Sequence, residues 1–431
     1  MKRILILLIL ISGATLFNCG NNGDDNLPQK ITLVYWSANN QYEMDLAESL
    51  VKEWNEAHPN VQIKQQPIPE GRSSEEVILA SVVGKTTPDV YSNMWPGDVE
   101  SYVRAKALVA IDQFRDFDSL AADRFSEDIL NEAYSQDNHV YQILWKTNPI
   151  MMLYNKKWLA KAGFNEPPKT YEEFFELAER IKKDTDGDGY VDRWVGMTQI
   201  LVAWWQRFFD YYPLYIAASG GGMLLEGNKV GFDNEYSIEV FRFLQTLFEK
   251  NYFPQERMDA RSDVFIHEIV ATRFAGPWAI TQIEIQKSED LEYDFAPVPR
   301  PASATGPAYT YGDYKSIIIF NNTKYPKQSW EFVKFLISKK NDLRLLEKAD
   351  QLPVRKNILQ DSLFIPYFEK NPMKKIFAKQ AQFVRGADSS PVLREIFDAI
   401  SQEFEASVIY GTKSAEEAVQ SAAARAKLIM E

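Results

Sequence analysis

Cysteine and histidine are scarce in this sequence, and their scarcity excludes several kinds of chemistry. Among the 431 residues there is one cysteine, Cys19, so no intrachain disulfide can form. Beyond Cys19 the chain also has no thiol nucleophile. The three histidines, His58, His139 and His267, lie far apart, and none has a second ligand beside it in the sequence. A zinc site built on histidine spacing is therefore not expected.

Positive charge is in deficit as well. The chain has 60 acidic and 48 basic residues and a net charge of −12. Such a chain repels nucleic acid and anionic membrane surfaces, so neither is expected as a binding partner. The sequence also lacks a G-x-S-x-G elbow and a P-loop. A pair of glycosidase carboxylates leaves no spacing in sequence, so composition and motifs leave that activity open.

The first 29 residues have the pattern of an export signal followed by a linker. A basic pair at residues 2–3 precedes the apolar run 4–11, which is too short to cross a bilayer and is typical of a signal peptide. The letters LFNC, which end in Cys19, resemble a bacterial lipobox. They predict a signal peptide over 1–19 and a lipid on Cys19, with ordinary secretion or an uncleaved anchor as alternatives. The polar residues 20–29 predict a flexible tether, so we expect an exported, membrane-anchored lipoprotein of the periplasm or cell surface.

The chain after the tether alternates strand and helix patterns, which predicts an α/β fold with parallel βαβ units. A length of 431 residues favours two lobes. In open parallel sheets, ligands bind beyond the carboxyl ends of the strands, here the loops 37–40 and 92–96. The predicted elements are strands at 31–36, 61–65 and 89–91 and helices at 42–57 and 73–83.

A strand that turns abruptly into a helix is predicted over residues 271–280. The strand stops at Gly276, Pro277 suits the first helical position, and Trp278 lies on the first turn. Free N–H groups at the start of this helix and a flat indole beside them suit a sugar, which is polar but has an apolar face. The alternative is that Trp278 belongs only to the apolar core.

An aspartate-rich segment beginning at Asp184 matches most of a calcium loop. Its carboxylates occupy loop positions 1, 3, 5 and 9, a glycine occupies position 6, and position 7 supplies a backbone carbonyl. Position 12 is Val195, where a bidentate glutamate is expected. The sequence thus predicts a structural Ca²⁺, with a solvated acidic turn as the alternative, and no other cofactor. The candidate ligands are Asp184, Asp186, Asp188, Tyr190 and Asp192.

The order of these elements resembles the extracellular solute-binding proteins of ABC sugar importers, family 1, which includes the maltose-binding protein. The resemblance covers nearly all of the chain after the tether. It implies a type II periplasmic-binding-protein fold, with two α/β lobes, a hinge and a ligand cleft between the lobes. The implied lobes are 30–145 with 277–322 and 150–275 with 325–431. The segments that carry the resemblance include EWNEAHPNVQI (53–63), TPDVYSNMW (87–95), MLYNKKWLAKAGFNEPPKTYEEFFELAERIKK (152–183), FAGPWAI (274–280) and YGDYKSIIIFNNTKYPKQSWEFVKFL (311–336).

The same resemblance implies which residues contact the ligand. They lie in the loop after the first strand, after the third strand, in the segment that crosses between lobes, and at later cleft positions. Tryptophan can stack on the apolar face of a pyranose, while amide and carboxylate groups bond to its hydroxyls. The implied set is Asn39, Asn40, Trp95, Lys146, Asn148, Trp278, Tyr311, Gly312 and Asp313, with Trp204 or Trp205 in addition.

Three functional hypotheses follow. In the first, a lipid-anchored monomer without enzymatic activity captures a mono- or oligosaccharide and delivers it to a membrane permease. In the second, the same fold binds a polyol phosphate or another small solute, with Lys146 as the cation in the cleft. The third is a surface glycoside hydrolase or lyase, with Asp313 as one catalytic carboxylate.

Overall fold

The computed structural model describes residues 30–71, 73–227, 229–258 and 263–431. The predicted signal peptide, the tether and Cys19 lie outside these residues. Within the described part of the chain, no helix combines the length and the apolar character needed to cross a bilayer.

A six-stranded mixed sheet forms the core of the first lobe. Its first three strands are parallel, as the alternating pattern predicted, and two later strands return antiparallel to their neighbours. The strands are β1 (Ile31–Ser37), β2 (Val61–Pro67), β3 (Val90–Met94), β4 (Gln142–Thr147), β11 (Lys315–Ile319) and β12 (Leu352–Pro353). Their order in the sheet is β12-β4-β11-β3-β1-β2.

Helices cover both faces of this sheet. The best-defined is α1, whose buried residues Leu46, Leu50 and Trp54 recur at helical spacing and pack with Leu33 of β1. The helices are α1 (Gln41–Ala57), α2 (Ser74–Gly84), α3 (Val99–Arg104), α4 (Phe117–Arg124), α5 (Glu127–Asn131), α11 (Pro326–Leu336) and α12 (Lys339–Ala349).

A three-stranded antiparallel sheet and a larger set of helices form the second lobe. Its strands are β8 (Thr272–Ala275), β5 (Met151–Asn155) and β9 (Tyr293–Ala296), in that order. A short hairpin, β6 (Leu225–Glu226) with β7 (Lys229–Val230), lies apart from this sheet. The helices are α6 (Lys156–Lys161), α7 (Tyr171–Ile181), α8 (Tyr211–Ala218), α9 (Glu235–Glu249), α10 (Trp278–Gln286), α13 (Ile365–Lys370), α14 (Pro372–Gln380), α15 (Leu393–Phe404) and α16 (Ala415–Met430), with a 3₁₀ turn at Trp204–Phe208.

The predicted lobe boundaries are wrong in two places. Helix α10 and strand β9 were assigned to the first lobe within 277–322, but β9 pairs with β5 of the second sheet. Helices α11 and α12 were assigned to the second lobe within 325–431, but Trp330 and Leu345 pack in the same apolar cluster as Leu33. The chain therefore returns to the first lobe from β11 to β12 before it re-enters the second.

A buried ion pair ties α12 to the first lobe. Arg124 at the end of α4 donates to both carboxylate oxygens of Asp342, at 2.7 and 3.3 Å. Asp342 also accepts from Arg355, and none of its side chain is exposed. A carboxylate this deeply buried is tolerated because two guanidinium groups and their hydrogen bonds replace water.

We expect Asp342→Asn to lower the free energy of unfolding by about 3 kcal/mol, because it leaves the buried guanidinium of Arg124 without a counter-charge. Chemical denaturation measures the loss. The matched control is Glu166→Gln, which removes an exposed ion pair with Lys169 and should leave the denaturation midpoint unchanged. Equal stability of the two variants would contradict the role given to the buried pair.

Candidate ligand-binding site

Three chain segments cross side by side between the lobes, and Gly312 lies in the middle one. Its carbonyl accepts from the Asn148 backbone N–H at 2.6 Å and from the Thr147 hydroxyl at 2.9 Å. Its own N–H donates to the Arg385 carbonyl at 2.8 Å. A Cβ atom at Gly312 would lie 3.1 Å from Val384, so a larger residue would push the segments apart. The crossing thus needs glycine for close approach.

Aromatic rings from both lobes meet beside this crossing. The indole N–H of Trp95, which follows β3, donates to the Tyr311 hydroxyl at 3.1 Å. The Trp95 ring lies 5.2 Å from that of Trp204 and 5.3 Å from that of Phe208, both from the second lobe. With 6% of its surface exposed, Trp95 is covered in this arrangement of the lobes.

Trp278 packs against the apolar cluster that contains Trp95, and also against the cluster that contains Met151 and Leu153. It is half-buried, and its ring meets that of Phe209 edge-on at 6.0 Å. A Cβ atom at Gly276 would overlap the Trp278 ring, so the indole lies directly on the glycine. The same holds for Trp95 and Gly97, with a proline between indole and glycine in both cases. The two tryptophans are therefore held in fixed orientations by their own turns.

Asp313 and Asn148 supply polar groups next to these rings. The Asp313 carboxylate accepts from Lys315 at 2.8 Å, and the residue has a φ of +38°, a strained conformation that concentrates at functional sites. The amide N–H of Asn148 donates to the Asp313 carbonyl at 3.4 Å. Its amide oxygen is buried and has no hydrogen-bond partner among the described residues, so one acceptor at the crossing is unused.

Lys146 lies beneath the site and not in the cleft as predicted. Its side chain is 1% exposed, and its ammonium group donates to Glu43 at 2.5 Å and to Asn93 at 2.9 Å. Burial lowers the pKa of Lys146, and the carboxylate of Glu43 opposes that shift. Glu43 also accepts from the side-chain amide of Asn40, the N-cap of α1, at 3.1 Å. One carboxylate thus links the loop after β1 to the strand that leads to the crossing.

Two predicted residues are not brought into this set. Trp205 is 44% exposed, because neighbouring residues of the 3₁₀ turn point about 120° apart and Trp204 takes the inward direction. Asn39 is exposed, and within the part of the chain that the structure describes its side chain makes no hydrogen bond to the others.

Sequence reasoning missed Phe208, Phe209 and Glu43. Glu43 carried a signal, since it follows the cap residue Asn40 by three positions, where a glutamate returns to the cap. The two phenylalanines carried none beyond the general richness of aromatics around them.

The aspartate loop has the predicted shape in part. The carboxylates of Asp184, Asp186 and Asp188 lie close enough together to hold one metal ion. Hydrogen bonds from the backbone of Gly189 and Gly187 hold the pKa of Asp184 below its usual value. Asp192 does not join the group, because its carboxylate accepts from the Thr185 backbone at 2.6 Å. Calcium binding here stays a prediction.

Charged groups also join the lobes next to the aromatic set. Arg394 of the second lobe donates to Asp98 of the first. Glu132 accepts from the Gly386 backbone at 2.7 Å and lies 3.5 Å from the Arg385 guanidinium. Burial raises the pKa of Asp98 to about 6 and that of Glu132 to about 7, against the opposing effect of their basic partners. These contacts hold the lobes in the arrangement seen here.

We expect Gly276→Ala to destabilise the protein by about 2 kcal/mol, because the added methyl group displaces the Trp278 ring from the glycine. Near-ultraviolet circular dichroism should change with it. In the control Gly84→Ala, the nearest atom lies 3.6 Å away and the methyl group meets ordinary contacts, so the spectrum should stay unchanged and no stability should be lost. If the tryptophan spectrum of Gly276→Ala stayed unchanged, the contact between the Trp278 ring and Gly276 would be refuted.

Glu132 should make stability depend on pH. Its pKa rises from 4.5 to about 7 on folding, so its stabilising contribution is complete below pH 4.5 and is lost as the pH rises through 7. Between pH 4.5 and 8, the wild type should therefore lose about 3 kcal/mol more stability than Glu132→Gln. Denaturation at a series of pH values measures this difference. If the stability of the two proteins changed with pH in the same way, the buried position of the Glu132 carboxylate would be contradicted.

Comparisons with known proteins give the family. The family model described as "Bacterial extracellular solute-binding protein" matches residues 49–373. A maltotriose-binding protein of Pyrococcus abyssi is 24% identical over 375 residues, which cover 85% of this chain and 75% of that protein. An sn-glycerol-3-phosphate-binding periplasmic protein of Brucella melitensis is 22% identical over 409 residues, 91% of this chain and 92% of its own.

A solved structure confirms the fold. The sugar-binding protein MalE from Xanthomonas citri aligns with a TM-score of 0.77 at 18% identity, over 93% of this chain and 97% of its own. The two-lobe α/β architecture predicted from the sequence is thereby confirmed. Since the family model spans most of the chain, including the crossing at Asn148 and Gly312 and the tryptophans at 95 and 278, this protein belongs to the bacterial extracellular solute-binding proteins.

Proposed function

We propose that this protein captures a neutral mono- or oligosaccharide between its lobes and delivers it to the permease of an ABC importer. In this proposal it acts as a monomer, is exported and is held at the membrane by a lipid on Cys19. It carries out no reaction on the sugar. The relatives that it matches are binding proteins of transport systems, and one of them is named for maltotriose.

The observation that carries the proposal is the combination of fixed indoles with an unpartnered amide oxygen. Trp278 and Trp204 are half-buried, so each keeps part of its surface exposed. The free oxygen of Asn148 and the carboxylate of Asp313 lie at the same crossing. Aromatic ring faces bind the C–H surface of a pyranose, and oxygen acceptors bind its hydroxyls, so a sugar site needs both kinds of group.

The charges around the site favour a neutral ligand. Each cation named beside it is already paired: Lys146 with Glu43, Lys315 with Asp313, and Arg394 with Asp98. Among the described residues, these groups leave no unpaired positive charge at the crossing for a phosphate to bind. The polyol phosphate hypothesis keeps the support of the glycerol-phosphate-binding relative but lacks a free cation at the crossing.

The hydrolase hypothesis is weaker. Asp313 is held by Lys315, and the carboxylate of Glu43 is occupied by Lys146 and Asn40. Each carboxylate is engaged by a cation of this chain, whereas glycoside hydrolysis needs two carboxylates that flank the same bond of the ligand.

Titration calorimetry against mono- and oligosaccharides, maltotriose among them, and against sn-glycerol-3-phosphate tests the proposal. We expect heat of binding from at least one neutral sugar and none from the phosphate. Trp278→Ala should weaken that binding at least tenfold, since it removes a stacking surface.

Trp205→Ala is the matched control, because it removes an exposed tryptophan that lies outside the aromatic set; we expect less than a twofold change. If none of the sugars gave heat of binding, or if only the phosphate did, the proposal would be overturned.

A further inference from the structure

Arg394 contacts the aromatic set and the opposite lobe with the same side chain. Its guanidinium carbon lies 5.1 Å from the centre of the Trp204 ring, within the range of a cation–π contact. One of its nitrogens donates to Asp98, whose side chain is 8% exposed. Arg394 opens α15 in the second lobe, whereas Asp98 lies in the first.

Asp98 is in turn close in sequence to Trp95. Both lie in the turn Trp95-Pro96-Gly97-Asp98, in which the Trp95 ring rests on Gly97. Trp95 and Trp204 stand 5.2 Å apart with their rings tilted by 40°. The four residues therefore form a closed ring of contacts. Arg394 contacts Trp204, Trp204 contacts Trp95, the rigid turn joins Trp95 to Asp98, and Asp98 accepts from Arg394.

We propose that Arg394 is a positioning residue that sets the orientation of Trp204 only when the two lobes are together. The ion pair with Asp98 fixes the guanidinium in place, and the fixed guanidinium holds the indole. When the lobes separate, Asp98 leaves with the first lobe and Trp204 regains rotational freedom. This inference rests on the proposed function, because it assigns Trp204 to the sugar surface of the same cleft. A guanidinium serves better than an ammonium here, since its plane can lie along the indole while its edge donates to a carboxylate.

The experiment without ligand uses the indole N–H resonances of ¹⁵N-labelled protein, with Trp204→Phe and Trp95→Phe to assign two of the ten tryptophans. We expect Arg394→Gln and Asp98→Asn to shift or broaden the resonances of Trp204 and Trp95. Those of Trp54 and Trp330, which donate to Val61 and Asp116 in the first lobe, should stay in place and report that the variants are folded. Arg394→Lys, which keeps the positive charge, should restore part of the wild-type spectrum. Unmoved resonances of Trp204 and Trp95 in Arg394→Gln would overturn the inference.

A double-mutant cycle on sugar affinity is the second readout. Arg394→Gln should weaken binding about fivefold in the wild type and have little further effect in Trp204→Leu, because its influence passes through that ring. Arg425→Gln, which removes an arginine bonded to Gln402 on an exposed face, is the matched control and should not change affinity. Equal losses in both backgrounds would overturn the inference. If no sugar binds at all, the proposed function fails, while the indole spectra still decide the role of Arg394.

Discussion

Everything at the candidate site depends on how closely three backbone segments approach at Gly312. The segments are held by hydrogen bonds of 2.6 and 2.8 Å to its carbonyl and N–H, with no side chain between them. Asn148 is the partner of the Gly312 carbonyl in this contact. Asp313 and Tyr311 are the chain neighbours of Gly312, so all three side chains start from the same place. Because the lobes are joined at the same place, the polar groups of the site are fixed by the connection itself, independently of the packing within either lobe.

Paired charges also lie beneath the candidate site. Glu43, Lys146 and Asn93 form a buried group that joins α1, β3 and β4. Partnered ions in such a place are costly to separate, so they specify geometry more than they add stability. These contacts hold the first turn of α1 to β3 and β4.

Local structure could be read from the sequence wherever one stretch contains all the information. The strand that ends at Ala275 and the helix that begins at Trp278 followed from Gly276 and Pro277, and the first strands and helices followed from apolar spacing. The return of α11 and α12 to the first lobe could not be read in this way, since it depends on contacts such as that between Trp330 and Asp116, which are 214 positions apart. The same limit applied to the site. Lys146 was found by resemblance, but its burial under Glu43 depends on a pairing across 103 residues.

The seating of two indoles on glycines has a thermodynamic consequence. A free tryptophan side chain samples several rotamers, and a ligand that stacks on it must suppress them, at a cost of conformational entropy. Here Trp95 and Trp278 already lie flat on Gly97 and Gly276, so that loss has been incurred during folding. Under the proposed function, a sugar that stacks on Trp278 meets a preformed surface, and more of its contact energy remains as affinity.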